Sequence, residues 1–186
     1  MASQKFRPAV LQYFFRISTY WCMSSRLKNL SDHDPAFIPD GSKMKFGIVV
    51  SEWNDDITAA LLEGTLKRLK DQGVREENIH VKTVPGSFEL PYGSRIVAEQ
   101  HSPHAVICLG CVIRGETSHF DYICQGVSKG IMELNLDYDI PFIFGVLTTE
   151  NQQQALDRAG GKHGNKGDEA AVTALKMAAL RNILLQ

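Results

Sequence analysis

The residues with the clearest chemical capacity fall in one stretch, 110–122, which reads GCVIRGETSHFDY. Two glycines there flank an arginine, Thr117 and Ser118 can cap a helix, and His119 stands where that helix would begin. A helix start presents backbone N–H groups without intrahelical partners, and its dipole favours negative charge, so such a loop is suited to an anion. Histidine is the side chain whose ordinary titration falls near neutral pH, and one placed beside a bound anion can move a proton. Anion binding with proton transfer is therefore the chemistry expected of this loop.

Other candidates carry two readings each. Trp53 is either a partly buried aromatic or a plate on which a flat heterocycle stacks. Residues 85–89 (PGSFE) can be turn chemistry alone; alternatively Ser87 and nearby amides read a polar ring while Glu89 accepts from hydroxyls. Residues 158–167 (RAGGKHGNKG) suit a turn needing positive φ, or else make Arg158 a bidentate phosphate ligand. They do not form a Walker loop, because no Gly-Lys-Ser/Thr follows a strand. Phe144 reads as strand core. Cys108 and Cys111, with His101 and His104 upstream, suggest zinc. Residues three apart on a continuing strand face opposite ways, however, and two small buried thiols are the better account.

The elements that must position these groups are legible in the apolar pattern. Residues 44–51 form a near-continuous apolar run, as expected of a strand covered on both faces. Asn54 or Asp55 can cap the helix that follows, whose face is Ile57, Leu61, Leu62, Leu66 and Leu69 and whose end is Gly73. Residues 79–84 make a second strand, and a helix from the 85–89 turn runs to about Gln100 with Pro91 in its first turn. Residues 105–109 form the third strand, followed by the helix bearing Phe120, Ile123, Val127, Ile131 and Leu134 at spacings of three or four. Residues 141–147 form the fourth. Thr149 with Gln152 resembles a capping box for a short helix to Arg158, and 169–185 is the last helix, with Val172, Leu175, Ala179 and Ile183 inward. Alternating strands and helices give an α/β fold, a parallel four-stranded sheet flanked by helices in three layers. Ligands of such folds lie beyond the carboxyl ends of the strands, so the loops after Ser51, Val84 and Leu109 should share one rim.

The chain of 186 residues suits one ordinary domain, and its formal net charge of −1 argues against general attraction to nucleic acid or membrane. Four cysteines in a chain this long give no disulfide framework, which points to reduced thiols and a cytoplasmic location. Residues 1–43 stand apart as an irregular N-terminal extension to a domain at 44–186. No Asp or Glu precedes Asp32, while Lys5, Arg7, Arg16, Arg26 and Lys28 are basic. The apolar piece at 17–25 falls short of the ~20 residues of a membrane span and lacks the uninterrupted core of a secretory signal. The shift in composition raises the expectation that translation begins at Met23.

Five segments, in order, resemble the lumazine synthase family: 51–54 (SEWN), 85–91 (PGSFELP), 110–121 (GCVIRGETSHFD), 144–151 (FGVLTTEN) and 158–167. The resemblance runs from about Met44 to the C-terminus. It implies a flavodoxin-like fold and an enzyme of riboflavin biosynthesis. The implied reaction condenses 5-amino-6-ribitylaminouracil with 3,4-dihydroxy-2-butanone 4-phosphate, giving 6,7-dimethyl-8-ribityllumazine, phosphate and water. By resemblance Trp53 stacks on the pyrimidine, Ser87, Phe88 and Glu89 line the pyrimidine and ribityl side, and Cys111, Val112 and Ile113 add contacts. Glu116 and Thr117 bind the butanone phosphate through their backbone, and His119 transfers protons. Phe144 and Arg158 are expected from the neighbouring subunit, with Arg158 on the phosphate and Lys166 as nearby positive charge. The resemblance implies no metal and no organic cofactor. It also implies a homopentamer, leaves a sixty-subunit shell open, and makes riboflavin synthase a candidate partner. The alternatives are a non-catalytic flavin- or lumazine-binding shell protein and the related archaeal-type riboflavin synthase.

Overall fold

The computed structural model describes residues 29–184. The basic N-terminal residues, Cys22, the apolar piece at 17–25 and Met23 lie outside the described residues. The main sheet is built from β1 (Phe46–Ser51), β2 (Ile79–Val84), β3 (Ala105–Ile113) and β4 (Phe142–Thr149), all parallel, in the order β2-β1-β3-β4. Helices α1 (Asp55–Asp71), α2 (Leu90–His101) and α3 (His119–Asp137) connect successive strands. After β4 come a short α4 (Gln152–Leu156), a small antiparallel hairpin of β5 (Ala159–Gly161) and β6 (Gly164–Asn165), and α5 (Lys166–Leu184).

Side-chain alternation divides the core into two layers. Phe46, Ile48 and Val50 of β1 and Ile107, Leu109 and Cys111 of β3 pack with Ile57, Leu61 and Leu69 of α1 and Ala171, Leu175 and Ala178 of α5. Val49, Val106 and Cys108 point the other way, against Leu90 and Val97 of α2 and Val127, Ile131 and Leu134 of α3. All six residues of β1 are buried, which explains its unbroken apolar run. The α1–α5 contact is close. A Cβ at Gly167 would stand 1.9 Å from the Leu61 carbonyl oxygen, and Thr65 Oγ1 donates within 3.0 Å of the Gly167 carbonyl oxygen and 2.9 Å of that of Leu61. Arg68 clasps Asp168 across the same junction with two hydrogen bonds, Nη2 to Oδ2 being 3.1 Å.

Four local expectations need correction. β3 does not end at Leu109; its ladder with β4 runs on through Cys111↔Leu147 to Ile113↔Thr149, so the polar loop begins only at Arg114. Asn54 occupies the cap position of α1 in left-handed backbone (φ 61°) but makes no capping hydrogen bond. The cap of α4 is Asn151, whose Oδ1 accepts from the Gln154 amide at 2.9 Å, and Thr149 is a buried strand end. Of the four α5 positions expected inward, Val172 and Leu175 are buried and Ala179 packs against the same layer, but Ile183 is exposed; Ala170, Ala171, Ala174 and Ala178 complete the inward face, where the helix lies close to α1 and the sheet. Cys108 and Cys111 do face opposite layers, and burial pushes each thiol up to about 12.

Residues 29–44 lie against the domain. A 3-10 turn at Pro35–Phe37 is capped by Asp34, Ile38 and Met44 join the α1/α5 core layer, and the Gly41 amide donates to the Gln72 carbonyl at 2.8 Å. Among the described residues no helix is long and apolar enough to cross a membrane.

Candidate active site

The chain leaves β1 by α1 toward β2 and leaves β3 by α3 toward β4, so the connections diverge between the neighbouring strands β1 and β3. The carboxyl ends of two strands whose connections part in this way border a crevice, which is where such sheets take ligands. The loop with Trp53 and the loop with His119 flank it.

Each side of the crevice is fixed by hydrogen bonds. The amides of Glu52 and Trp53 donate to the carbonyls of Val84 (2.8 Å) and Pro85 (3.2 Å), tying the Trp53 loop to the 85–89 turn. Asn54 Nδ2 donates to the Cys111 carbonyl at 3.0 Å and so spans from β1 to β3. With its backbone ends pinned, Trp53 is 71% exposed, so the partly buried reading does not hold in a single chain. Ser87 begins a 3-10 turn at Ser87–Glu89 that runs into α2. Among the described residues its hydroxyl is buried without a partner, and it lies over Gly110, 2.7 Å from where a Cβ would stand. Phe88 is exposed but its ring edge rests on Gly126 of α3, while Glu89 is exposed and makes no capping hydrogen bond. Cys111 is buried, Val112 and Ile113 are half-buried, and they carry β3 up to the rim. The protonated, inward Cys111 thiol contributes shape rather than a nucleophile.

Arg114 is braced on both sides: Nε donates to Glu150 Oε2 at 2.8 Å, Nη1 to Asp121 Oδ1 at 3.2 Å, and the guanidinium lies 4.1 Å from the centroid of the Phe120 ring. Sequence reasoning passed over Arg114 and treated Asn54 only as a cap; the signal for the first was its place between two glycines and before two carboxylates. Its charge is spent inside the loop, which leaves the backbone to face outward. Among the described residues the amides of Gly115, Glu116, Thr117 and Ser118 donate to no protein acceptor, and the His119 amide has only a 3.4 Å contact to Thr117 Oγ1. Four consecutive free amides at a helix start form a donor cluster suited to a phosphate. Glu116, Thr117 and His119 are exposed, and the His119 ring makes no hydrogen bond among the described residues.

Among the described residues neither Phe144 nor Arg158 hydrogen-bonds to the rim loops at 52–54, 85–89 or 114–119. Phe144 sits partway along β4, opposite Cys108, and is 37% exposed on the sheet's edge strand. Arg158 follows α4, which packs through Ala155 into the α1/α5 layer and reaches Asp56 through Gln152 Nε2 at 3.1 Å. His119 opens a helix of the opposite layer. The guanidinium of Arg158 donates to the Gln154 carbonyl at 2.9 Å and has no carboxylate partner among the described residues. Arg68, Arg75, Arg95 and Arg114 are all paired with carboxylates, and Lys166 is paired with Glu169 at 2.8 Å. Among the described residues Arg158 thus carries a charge without a carboxylate partner, as does Arg181, whose Nε donates to the Asp139 carbonyl, whereas Lys166 is paired.

Sheet order and helix layers define a flavodoxin-like α/β protein with a donor-rich rim between its diverging strands. The model of the 6,7-dimethyl-8-ribityllumazine synthase family matches residues 43–182. Proteins of that name are similar over most of this chain. The one from Parabacteroides distasonis is 61% identical over 155 residues, covering 83% of this chain and 97% of its own. That from Porphyromonas gingivalis is 57% identical over 161 residues, covering 87% and 100%. That from Cytophaga hutchinsonii is 58% identical over 157 residues, covering 84% and 98%. The chain belongs to the 6,7-dimethyl-8-ribityllumazine synthase family.

Proposed function

We propose that the rim of one subunit and Arg158 of its neighbour together hold the two substrates of the family's reaction. That reaction belongs to riboflavin biosynthesis: 5-amino-6-ribitylaminouracil and 3,4-dihydroxy-2-butanone 4-phosphate condense to 6,7-dimethyl-8-ribityllumazine, with release of phosphate and water. The observation that carries the residue assignment is the run of free amides at 115–118 beside His119.

On this reading the phosphate of the butanone lies on the amides about Glu116 and Thr117, where the start of α3 favours its charge. The pyrimidine stacks on Trp53. The unpartnered Ser87 hydroxyl takes a polar atom of the ring, Phe88 and Glu89 border the ribityl chain with Glu89 accepting from its hydroxyls, and Cys111, Val112 and Ile113 form the floor. Holding amine and ketone side by side turns a bimolecular encounter into a local one. Attack of the pyrimidine amine on the ketone, loss of water to the imine, departure of phosphate, and closure of the second ring with loss of a second water each require a proton to move. His119 is the group placed to carry it. The amides and Arg158 stabilise the negative charge as phosphate leaves.

The family assembles as an oligomer, and we propose a pentamer with one site at each subunit contact; a sixty-subunit shell would be built from the same contact. The layer separation of Arg158 from His119, and the unpaired charge of Arg158, support its service in the next subunit's site, with Phe144 beside it. We also propose a cytoplasmic location, riboflavin synthase as the partner that takes up the lumazine, and residues 1–43 as an extension to the catalytic domain.

Mixing the purified protein with both substrates, and following lumazine absorbance with phosphate release, tests the assignment. Equimolar appearance of lumazine and phosphate above the spontaneous rate is the expected result, and progress no faster than without protein would overturn it.

A further inference from the structure

The glycine-rich segment that carries Arg158 is held from two sides. On the inner side Asn165 Nδ2 donates to the Ala60 carbonyl of α1 at 2.8 Å, and Asn165 Oδ1 accepts from the Gly167 amide at 2.8 Å. The Lys166 amide donates to the Arg158 carbonyl at 2.8 Å, closing the base of the hairpin on Arg158 itself. On the outer side residues 29–31 lie across the hairpin. The Leu30 amide donates to the His163 carbonyl at 2.7 Å, and the Asn165 amide donates to Ser31 Oγ at 3.0 Å. Asn29 Oδ1 accepts from the Ser31 amide at 2.8 Å, a local turn that fixes where the hydroxyl points.

The fit between the two segments is close. Gly164 is buried with φ +82°, and a Cβ there would stand 2.1 Å from Asn29 Oδ1 and 2.8 Å from the Ser31 amide nitrogen. The outer segment therefore occupies the space that any side chain at 164 would take. The hairpin has reason to need the support. Its strands are three and two residues long, and Gly160, Gly161, Gly164 and Gly167 each lose more conformational freedom on ordering than another residue would. A hairpin that short does not hold itself in water.

We propose that Asn29, Leu30 and Ser31 form a strap that positions the hairpin, and through the Lys166–Arg158 backbone contact sets how firmly Arg158 is presented to the phosphate of the butanone substrate. This rests on the assignment of Arg158 to that phosphate. Ser31 is a positioning residue: among the described residues its hydrogen bonds reach the hairpin and its own turn and none reaches the 114–119 loop. The strap's hydrogen bonds go to the hairpin and not to the Trp53 loop or the 85–89 turn, so recognition of the pyrimidine is independent of it.

The test compares full-length wild type, Ser31→Ala, Ser31→Thr and Arg158→Ala in steady-state assays, varying each substrate in turn, with amide hydrogen exchange read at Asn165. Ser31→Ala deletes the acceptor for the Asn165 amide, and Ser31→Thr keeps it. Expected for Ser31→Ala are faster exchange at Asn165, a KM for the butanone phosphate raised about three- to tenfold, a KM for the pyrimidine unchanged within about twofold, and recovery of both readouts in Ser31→Thr. An unchanged phosphate-substrate KM in Ser31→Ala, while Arg158→Ala raises it, would overturn the strap and leave the Arg158 assignment standing. Equal rises in both KM values would also overturn it, since general loosening rather than positioning would be the cause. No effect of Arg158→Ala on the phosphate substrate would overturn the Arg158 assignment itself, and the strap's role with it.

Discussion

Arg158→Ala should raise the KM for 3,4-dihydroxy-2-butanone 4-phosphate by roughly 30- to 150-fold, the range of ~2–3 kcal/mol for charge-assisted hydrogen bonds to a phosphate. The KM for the pyrimidine should move by no more than about threefold. The asymmetry follows from how the residue sits. Its Nη1 donates to the Gln154 carbonyl, which fixes the guanidinium without neutralising it, and no carboxylate is within reach among the described residues. Little of the protein's own structure depends on that charge, so its loss should appear in substrate affinity more than in stability. Lysine at this position would keep a charge but not the planar fork, and should recover only part of the loss. Equal effects on the two substrates, measured with each varied at saturating levels of the other, would remove Arg158 from the phosphate.

The second large effect belongs to His119. Replacement by alanine should lower kcat about a hundredfold or more, within the usual range for loss of a general acid–base group, with each KM changed by less than about threefold. His119 lies in the exposed first turn of α3, its ring bonds to no protein group, and the free amides precede it directly. Deleting the ring therefore leaves the donor cluster and the helix in place. Stopped-flow single turnovers with both variants would separate chemistry from binding. An unchanged single-turnover rate would show that the protons travel by another route.

Much of this was legible in the sequence, and what was not has physical reasons. β1 reads plainly because both its faces are covered. The far end of β3 does not, because Gly110 and the residues beyond it resemble a loop until pairing with β4 as far as Thr149 is known. Asn54 has the composition of a cap, yet its amide group is taken by the Cys111 carbonyl, 57 positions away, a partner no local pattern announces. The loop from Arg114 to His119 could be read because its chemistry is contiguous: the free amides and the histidine follow one another along the chain. Arg158 and Phe144 could not be placed the same way, since among the described residues neither hydrogen-bonds to the rim loops within one chain. The strap at 29–31 was invisible for another reason. It docks through the Leu30 amide and the Ser31 hydroxyl, with Asn29 fixing the turn, none of which leaves an apolar period, so the short stretch reads as irregular.

On the proposed reading one site draws on two subunits. Co-expressing His119→Ala and Arg158→Ala chains with distinct tags, and isolating oligomers that carry both, tests it most directly. In such oligomers a wild-type rim can sit beside a neighbour that still has Arg158. The account predicts activity at low butanone phosphate well above that of either parent, approaching one quarter of the wild-type value for random mixing. Activity no greater than the average of the two parental oligomers would contradict it, because each site would then draw His119 and Arg158 from the same chain.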